Sequence, residues 1–295
     1  MNIVITGSLG NISRPLTENL VARGHTVTVI SSSSERRSAI TDLGATAAIG
    51  TMDDATFLTM TFTGAEAVYC METFDFFDAE LDYLSYVEGI ARSYRQAITA
   101  AGVQKVIHLS SIGAHTDQGV GILKFHHRAE QILRELPTSV AIKFIRPVGF
   151  FTNLYTQIPT IKAQGIMAAN FGGDEAEPWV APADIAEVIA EEFDRPFEGR
   201  MVRYVASDEV SGPEIATAIG EAIGKSDLQW VTVSDDELLT GLLEAGMNPQ
   251  IARDYMAMQA AQRDGSIYVD FNAHRPVFRK IKLADFAEQF AAAYR

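Results

Sequence analysis

The chain has 295 residues and a mass of 32.2 kDa, which is enough for one large domain or two modest ones. Its formal net charge of −14 argues against a nucleic-acid partner, because phosphate backbones are bound through clusters of Lys and Arg. The single cysteine, Cys70, excludes an internal disulfide framework and favours a reducing compartment. No secretion signal or membrane span is recognisable, so we expect a cytoplasmic protein that does not interact with membranes.

Residues 1–150 alternate short apolar runs, typical of buried strands, with helical patterns. Strands are predicted at 1–6, 26–30, 46–49, 67–71, 105–110 and 140–146. Six strands separated by helices predict an α/β fold with a doubly wound parallel sheet. Residues 151–295 are dominated by helical patterns, which predicts a smaller, mostly helical lobe packed on the 1–150 core. The main lobe helices are predicted near 212–223, 235–245, 249–263 and 283–294, and short strands at 204–206 and 231–233.

A glycine-rich turn follows the first predicted strand. Gly7 permits a tight turn, and Gly10 permits close approach of a pyrophosphate. The following helix begins with free N–H groups and the positive end of its dipole, both of which favour an anion. Ser13 stands where the usual dinucleotide fingerprint has its third glycine. The turn therefore predicts a dinucleotide site that includes Gly7, Leu9, Gly10, Asn11 and Ile12.

The residues at the end of the second predicted strand determine whether such a site prefers a ribose with a 2′-hydroxyl or one with a 2′-phosphate. An NAD-specific site carries Asp or Glu there to bind the ribose 2′-hydroxyl. This strand instead continues into Ser31 and Ser32, with Arg36 and Arg37 shortly after. Hydroxyl and guanidinium groups suit a 2′-phosphate, so NADP(H) is favoured and NAD(H) is the alternative. For one of the two arginines, a solvated helix face is an equally good interpretation.

Several segments together carry a family resemblance. The opening ITGSLGNISRPLTENLVARGHTVTVIS (5–31) is followed in order by GTMDD (50–54), VIHLSSIGA (106–114), IRPVGFFTNL (145–154) and PWVAPADIA (178–186). Nearly the whole chain thus resembles the NmrA-like atypical short-chain dehydrogenases. The resemblance implies a Rossmann sheet, NAD(P)(H) at the carboxyl ends of the strands, and a helical lobe over the substrate side. It also implies one of two roles, reduction of quinones or other small electrophiles, or non-catalytic redox sensing.

The chain departs from the family pattern at three places. Thr51 stands where the family often has Asp, which leaves the adenine-side contact open. No arginine follows the second strand directly, so Arg36 or Arg37 must replace it if NADP(H) is the cofactor. His126 stands four residues before Glu130, where the family often has lysine or a similar base.

A classical short-chain dehydrogenase donates a proton from the tyrosine of a Tyr-x-x-x-Lys pair. Ser110 or Ser111 stands at the serine position of such enzymes, but no tyrosine lies between Tyr94 and Tyr155. His126 is the catalytic candidate, either as a proton donor near neutral pH or as a hydrogen-bond partner of the nicotinamide ribose. An exposed surface histidine is the competing interpretation. No metal-binding motif is present, and no metal is predicted.

Aromatic and apolar residues follow the fourth and sixth strands, at the sheet edge where doubly wound folds bind ligands. They predict a flat apolar substrate pocket, with core packing between lobe and sheet as the alternative for each residue. The pocket candidates are Met71, Phe74, Phe150, Phe151 and Asn153.

Two functions follow as hypotheses. The first is an NADPH-dependent reductase of a small, flat or conjugated electrophile such as a quinone. The second is a non-catalytic NAD(P)(H) sensor that acts through a protein partner. A sugar-nucleotide epimerase is disfavoured because it normally needs the missing tyrosine.

Overall fold

The computed structural model describes all residues, 1–295. The first part of the chain alternates strands and helices. Its elements are β1 Asn2–Ile5, α1 Ser13–Ala22, β2 Thr26–Ser31, α2 Arg37–Asp42, β3 Thr46–Ile49, α3 Ala55–Phe62, β4 Ala67–Cys70, α4 Tyr83–Ala101, β5 Lys105–Leu109, α5 Lys124–Arg134 and β6 Ala141–Pro147.

The second part contains more helix and shorter strands. Its elements are β7 Gly149–Phe150, α6 Ile158–Gln164, β8 Ile166–Ala169, β9 Glu177–Val180, α7 Pro182–Asp194, β10 Arg200–Val205, β11 Asp208–Val210, α8 Gly212–Ile223, β12 Gln229–Thr232, α9 Asp235–Glu244, α10 Pro249–Arg263, α11 Val269–Ala273 and α12 Leu283–Tyr294. None of these helices is long and apolar enough to cross a lipid bilayer.

Seven parallel strands form the central sheet, in the order β3-β2-β1-β4-β5-β6-β10. Apolar clusters cover both of its faces, one packed under α1 and α7 and the other under α3, α4 and α5. All four residues of β4 are buried, as expected for a strand covered on both sides. The predicted doubly wound α/β fold is therefore confirmed.

Local signals account for several helix ends. Asp54 caps α3, and its carboxylate accepts hydrogen bonds from the N–H groups of Thr56 and Phe57. Gly102 ends α4 in the left-handed conformation, with φ +72°. These residues are recognisable in the sequence because a cap depends on neighbours in the chain.

The division of the chain at residue 150 does not coincide with an edge of the sheet. Strand β10 pairs with β6 from Arg200↔Ile142 to Val205↔Pro147, and α7 packs against α1. The Rossmann core therefore takes a helix and its seventh strand from beyond residue 150. The predicted short strand at 204–206 is the end of β10, and it belongs to the core rather than to the lobe.

The strand order reverses beside β1, which has β2 on one side and β4 on the other. In doubly wound folds ligands bind at such a switch point, outside the carboxyl ends of the strands. The residues that follow β1, β2 and β4 consequently surround one cleft. The remaining lobe has two small sheets, β11-β9-β7 and β12-β8, and its own apolar cluster beneath α8 and α12.

Candidate dinucleotide site

The turn between β1 and α1 requires glycine at its first position. Gly7 has φ +85°, and a Cβ there would lie 2.6 Å from the Ser13 Oγ. The Ser13 hydroxyl is buried and donates to the Thr6 carbonyl at 2.9 Å. Ser13 thus does more than replace a small glycine, because its hydroxyl ties the start of α1 to the end of β1.

Four donors around this turn are unused within the protein. The backbone N–H groups of Leu9, Asn11, Ile12 and Ser13 have no hydrogen-bond acceptor. Ile12, at the N-cap position of α1, offers no capping side chain, and the first turn of α1 contains no acidic residue. A helix start left with free donors and no competing anion fits the pyrophosphate of a dinucleotide.

Gly10 leaves the space over these donors open. It is exposed, and a Cβ there would contact only the Gly7 carbonyl oxygen, at 3.2 Å. Gly10 does not have a positive φ, so its backbone conformation does not require glycine, but a Cβ would make a tight contact that shifts the Gly7 carbonyl slightly; close approach of a phosphate does require glycine. The predicted set of Gly7, Leu9, Gly10, Asn11 and Ile12 forms one continuous turn, in which Gly10 and Asn11 are exposed and Ile12 is buried.

At the end of β2, the predicted phosphate contacts separate into two groups. Ser31 is buried, accepts a hydrogen bond from Ser8 at 2.9 Å and is bonded to the backbone of Ser33, so its hydroxyl supports the turn. Ser32 and Arg36 are exposed, and neither Arg36 nor Arg37 forms an ion pair. These free groups are available to a ribose phosphate. Further along, Thr51 is also exposed.

Met71, directly after β4, forms one wall of the cleft. Its N–H donates to the Thr6 hydroxyl at 3.0 Å, and its carbonyl accepts from the Tyr94 hydroxyl at 2.6 Å. Its side chain lies so close to Gly7 that a Cβ on Gly7 would be 3.2 Å from the Met71 sulfur. Its half-buried side chain packs against the same apolar cluster as the half-buried Phe150.

The other three pocket candidates lie elsewhere. Phe151 is fully buried in the lobe core, where it stacks on Phe286 with ring centroids 5.2 Å apart, so its assignment to the pocket is wrong. A 3₁₀ helix begins at Phe151 and turns this side chain inward, away from Phe150. Phe74 packs with Phe125 in a separate cluster, at 5.2 Å. Asn153 is exposed on the surface of the lobe.

The surroundings of His126 disfavour the acid role. It is half-buried on α5, and its Nδ1 is shielded from solvent without a hydrogen-bond partner. Burial, reinforced by the nearby His108 and Arg146, holds the pKa of His126 well below 6.5. The lowered pKa favours the neutral ring, so the surroundings favour hydrogen bonding over proton donation, and the catalytic role of His126 stays a prediction.

Below the cleft lies a buried ionic network that no local sequence signal predicts. Glu130, on α5, accepts two hydrogen bonds from Arg146, both at 2.8 Å, and one from the Ser110 hydroxyl at 2.6 Å. Burial alone would raise the pKa of Glu130, but the bonds from Arg146 and Ser110 hold it below its usual value. Ser110 is thus committed to the network. A second buried pair joins His108 to Glu72 at 2.9 Å.

Helix α10 covers the loop that follows β5, a placement that sequence patterns also missed. Gly121 lies so close to α10 that a Cβ there would be 2.2 Å from the Asp254 carbonyl oxygen. The Asp254 carboxylate accepts from the Tyr83 hydroxyl at 2.7 Å and from Lys124 at 2.8 Å. Met258 packs against both the core cluster that contains Met71 and the cluster that contains Phe74. Sequence patterns predict helix α10 itself, but only the tertiary structure shows what it covers.

Comparison with known proteins agrees with this architecture. A curated relative, the (4-alkanoyl-5-oxo-2,5-dihydrofuran-3-yl)methyl phosphate reductase of Streptomyces griseus, is 24% identical over 266 residues, covering 90% of this chain and 88% of the relative. The triphenylmethane reductase of Citrobacter sp. superposes with a TM-score of 0.78 at 17% identity, covering 99% of this chain and 100% of that one.

An NADPH-dependent quinone oxidoreductase from Escherichia coli superposes equally well, with a TM-score of 0.78 at 19% identity and coverage of 97% and 98%. At these identities the two structures establish the fold alone. The sequence profile of the NmrA-like family matches residues 1–279, which is nearly the whole chain. This protein therefore belongs to the NmrA-like family.

Proposed function

We propose that this protein is an NADPH-dependent reductase of a small conjugated electrophile such as a quinone. The observation that carries the proposal is the set of four unused N–H groups at Leu9, Asn11, Ile12 and Ser13, beneath the open surface of Gly10. They lie at the switch point of a doubly wound sheet, where a pyrophosphate bridges the two halves of a dinucleotide.

The relatives support the choice of cofactor. The Escherichia coli quinone oxidoreductase is known as a complex with NADPH, and the Citrobacter triphenylmethane reductase as a complex with NADP(H). In this chain Ser32 and Arg36 are the free groups after β2, and both suit a 2′-phosphate. Ser31 is not among them, because its hydroxyl bonds Ser8. Preference for NADP(H) over NAD(H) is part of the proposal.

The chemistry of the residues around the cleft favours a conjugated acceptor. When bound, the cofactor supplies a hydride. Met71 and Phe150 offer an apolar surface that excludes water, and His126 is neutral at pH 7. No residue identified in the cleft is an evident acid for an isolated carbonyl. A quinone that accepts a hydride spreads the resulting negative charge over its ring, so the one proton that it then needs can come from solvent, giving quinone + NADPH + H⁺ → hydroquinone + NADP⁺.

His126 acts by hydrogen bonding in this proposal. Its shielded Nδ1 lacks a partner, and a neutral imidazole can both donate and accept one hydrogen bond. We assign it to a hydroxyl of the nicotinamide ribose, the role that lysine has in related enzymes. Proton transfer from His126 is not part of the scheme.

The proposal is tested by following NADPH oxidation with a panel of quinones, enones and aliphatic aldehydes, alongside a calorimetric titration with NADPH. We expect turnover with quinones or enones and none with simple aldehydes. Binding of NADPH without turnover of any acceptor would contradict the reductase and favour the sensor. Absence of NADPH and NADH binding would overturn both.

A further inference from the structure

A second cavity lies outside the proposed dinucleotide site, along the free edge of the central sheet. It has a volume of about 640 Å³ and is bounded by β10, the end of α5 and the segment around Val277. None of the residues of the glycine turn, of the end of β2 or of the Met71 wall lines it. Because β10 is an edge strand, one side of its backbone has no neighbouring strand.

More guanidinium groups than carboxylates line this cavity, although the protein is strongly acidic. Two carboxylates line it, Glu130 and Asp270, and both are already bonded to the buried Arg146. Five guanidinium groups line it, those of Arg134, Arg146, Arg195, Arg203 and Arg279.

Three of these arginines are held in place from behind. Glu187, Glu191 and Glu192, on α7, do not line the cavity, yet they form ion pairs with Arg195, Arg203 and Arg279 and offset part of their charge. This arrangement fixes the guanidinium groups while leaving some of their donors unused. The Nε of Arg279 is buried and has no hydrogen-bond partner. Such a fixed guanidinium binds oxyanions at little entropic cost.

The remaining wall is apolar. Val188, Val202, Val205 and Pro276 line the cavity beside the arginines. A bare inorganic ion would leave this surface in contact with water. A carboxylate or phosphate group attached to a hydrocarbon body matches both parts of the wall, and the volume lies in the range of sites for small organic molecules.

We propose that this cavity is a second ligand site, which binds a small organic anion bearing a carboxylate or phosphate group. The anionic group lies against Arg279 and Arg203, and the apolar part lies against Val202 and Val205. The proposed anion contacts, Arg279 and Arg203, lie outside the glycine turn, the end of β2 and the Met71 wall, so anion binding can be tested separately from the reductase activity, although Glu130 and Arg146 line this cavity and also belong to the network below the cleft.

The test is calorimetric titration of the full chain with octanoate, octyl phosphate and inorganic phosphate at low ionic strength. We expect saturable binding of octanoate or octyl phosphate with a dissociation constant below about 1 mM, and weaker binding of inorganic phosphate. The preferred alkyl anion identifies the headgroup. If none of the three anions shows saturable binding, the proposal is wrong.

Two substitutions on one strand provide a matched pair. Val202→Glu places a carboxylate in the cavity and should weaken binding at least tenfold, because like charges repel at short range. Met201→Glu changes a neighbouring exposed residue that does not line the cavity, and it should leave binding unchanged. Equal binding by the two variants would overturn the proposal. Both should bind NADPH like the unmodified protein.

A second pair covers the case in which Val202→Glu does not fold. Arg279→Gln removes the guanidinium that has the unpartnered Nε, whereas Arg275→Gln removes an exposed arginine that pairs with Glu209 outside the cavity. Tenfold weaker anion binding is expected for the first variant only. The same loss in both variants would indicate a general charge effect and contradict the site.

Discussion

The two ends of the proposed cleft differ in whether their polar groups are hydrogen-bonded within the protein. At the glycine turn, four backbone N–H groups have no acceptor within the protein, and the exposed Gly10 lies among them. Along α5, Glu130 and Ser110 are bonded to partners, and His126 is held in its neutral form. In the proposed function, the first end binds the pyrophosphate, and the second positions the cofactor without supplying a proton. We expect a reductase with this asymmetry to bind its cofactor mainly through the phosphates. We expect it to reduce acceptors that need no strong protein acid.

The largest expected effect concerns the buried network below the second end. Glu130→Ala would leave Arg146 buried and charged without the two hydrogen bonds that it donates to the Glu130 carboxylate, with Asp270 at 3.3 Å as its remaining acidic partner. We expect the free energy of unfolding to fall by about 3–5 kcal/mol, measured by urea denaturation. Glu18→Ala breaks the exposed pair with Arg14 and should cost less than about 0.5 kcal/mol. Equal costs for the two variants would show that the network does not stabilise the fold.

At the first end, Gly10→Val should weaken NADPH binding about 100-fold or more, because the side chain would occupy the space over several N–H donors. The melting temperature should change little, since a Cβ at position 10 contacts only the Gly7 carbonyl oxygen. Gly241→Val, on exposed helix α9, is the control for a glycine with nothing nearby. A folded Gly10→Val protein with normal NADPH affinity would disprove the assignment of the turn.

The sequence could predict the features that depend on residues adjacent in the chain, but not those that depend on tertiary packing. The glycine turn and the strand ends depend on residues adjacent in the chain, so sequence patterns were sufficient to predict them. His126, Phe151 and β10 depend on tertiary packing. His126 has an ordinary sequence context, and its low pKa comes from burial beside His108 and Arg146. Phe151 follows Phe150 directly, yet the 3₁₀ helix sends it into the lobe core.

A third prediction concerns Glu177, another acid whose behaviour the sequence does not reveal. Burial raises the pKa of Glu177 from 4.5 to about 7, although Tyr268 and Gln262 donate to it at 3.3 Å. The folded protein binds the proton of the Glu177 carboxyl group more tightly than the unfolded chain does. Protonation of Glu177 therefore stabilises the folded protein, fully below pH 4.5, and this stabilisation is lost as the pH rises through 7.

Glu177→Gln removes this pH dependence. The variant should be more stable than the unmodified protein at pH 8.5, by about 2–3 kcal/mol, and nearly equal to it at pH 4.5. Chemical denaturation at the two pH values measures the difference. Exposed Glu175→Gln is the control and should have little effect at either pH. If Glu177→Gln destabilises the protein at pH 8.5, the carboxylate is stabilised in the fold and the raised pKa is wrong.

At the ribose end, Arg36→Ala should lower NADPH affinity about tenfold and leave NADH affinity unchanged, because only NADPH carries the 2′-phosphate. Arg37→Ala is the matched comparison, since both arginines are exposed and unpaired. Calorimetry with both cofactors measures the four affinities. Unchanged NADPH affinity in both variants would remove the basis for NADP(H) preference.

The smallest expected effect on turnover belongs to His126. With the ring neutral, His126→Ala should raise the KM for NADPH several-fold, change kcat by less than about threefold, and leave the pH profile between 6 and 8 intact. Arg128→Ala, an exposed change on the same helix, is the control. If turnover at saturating NADPH fell by about two orders of magnitude in His126→Ala alone, the proton-donor role would be restored.

Amide hydrogen exchange tests the central claim most directly, because it reports on the four donors themselves. In the protein alone, the N–H groups of Leu9, Asn11, Ile12 and Ser13 have no acceptor and should exchange rapidly with solvent. Saturating NADPH should slow the exchange of at least two of these amides about tenfold or more. Normal NADPH binding with unchanged exchange at all four would place the cofactor elsewhere and contradict the account.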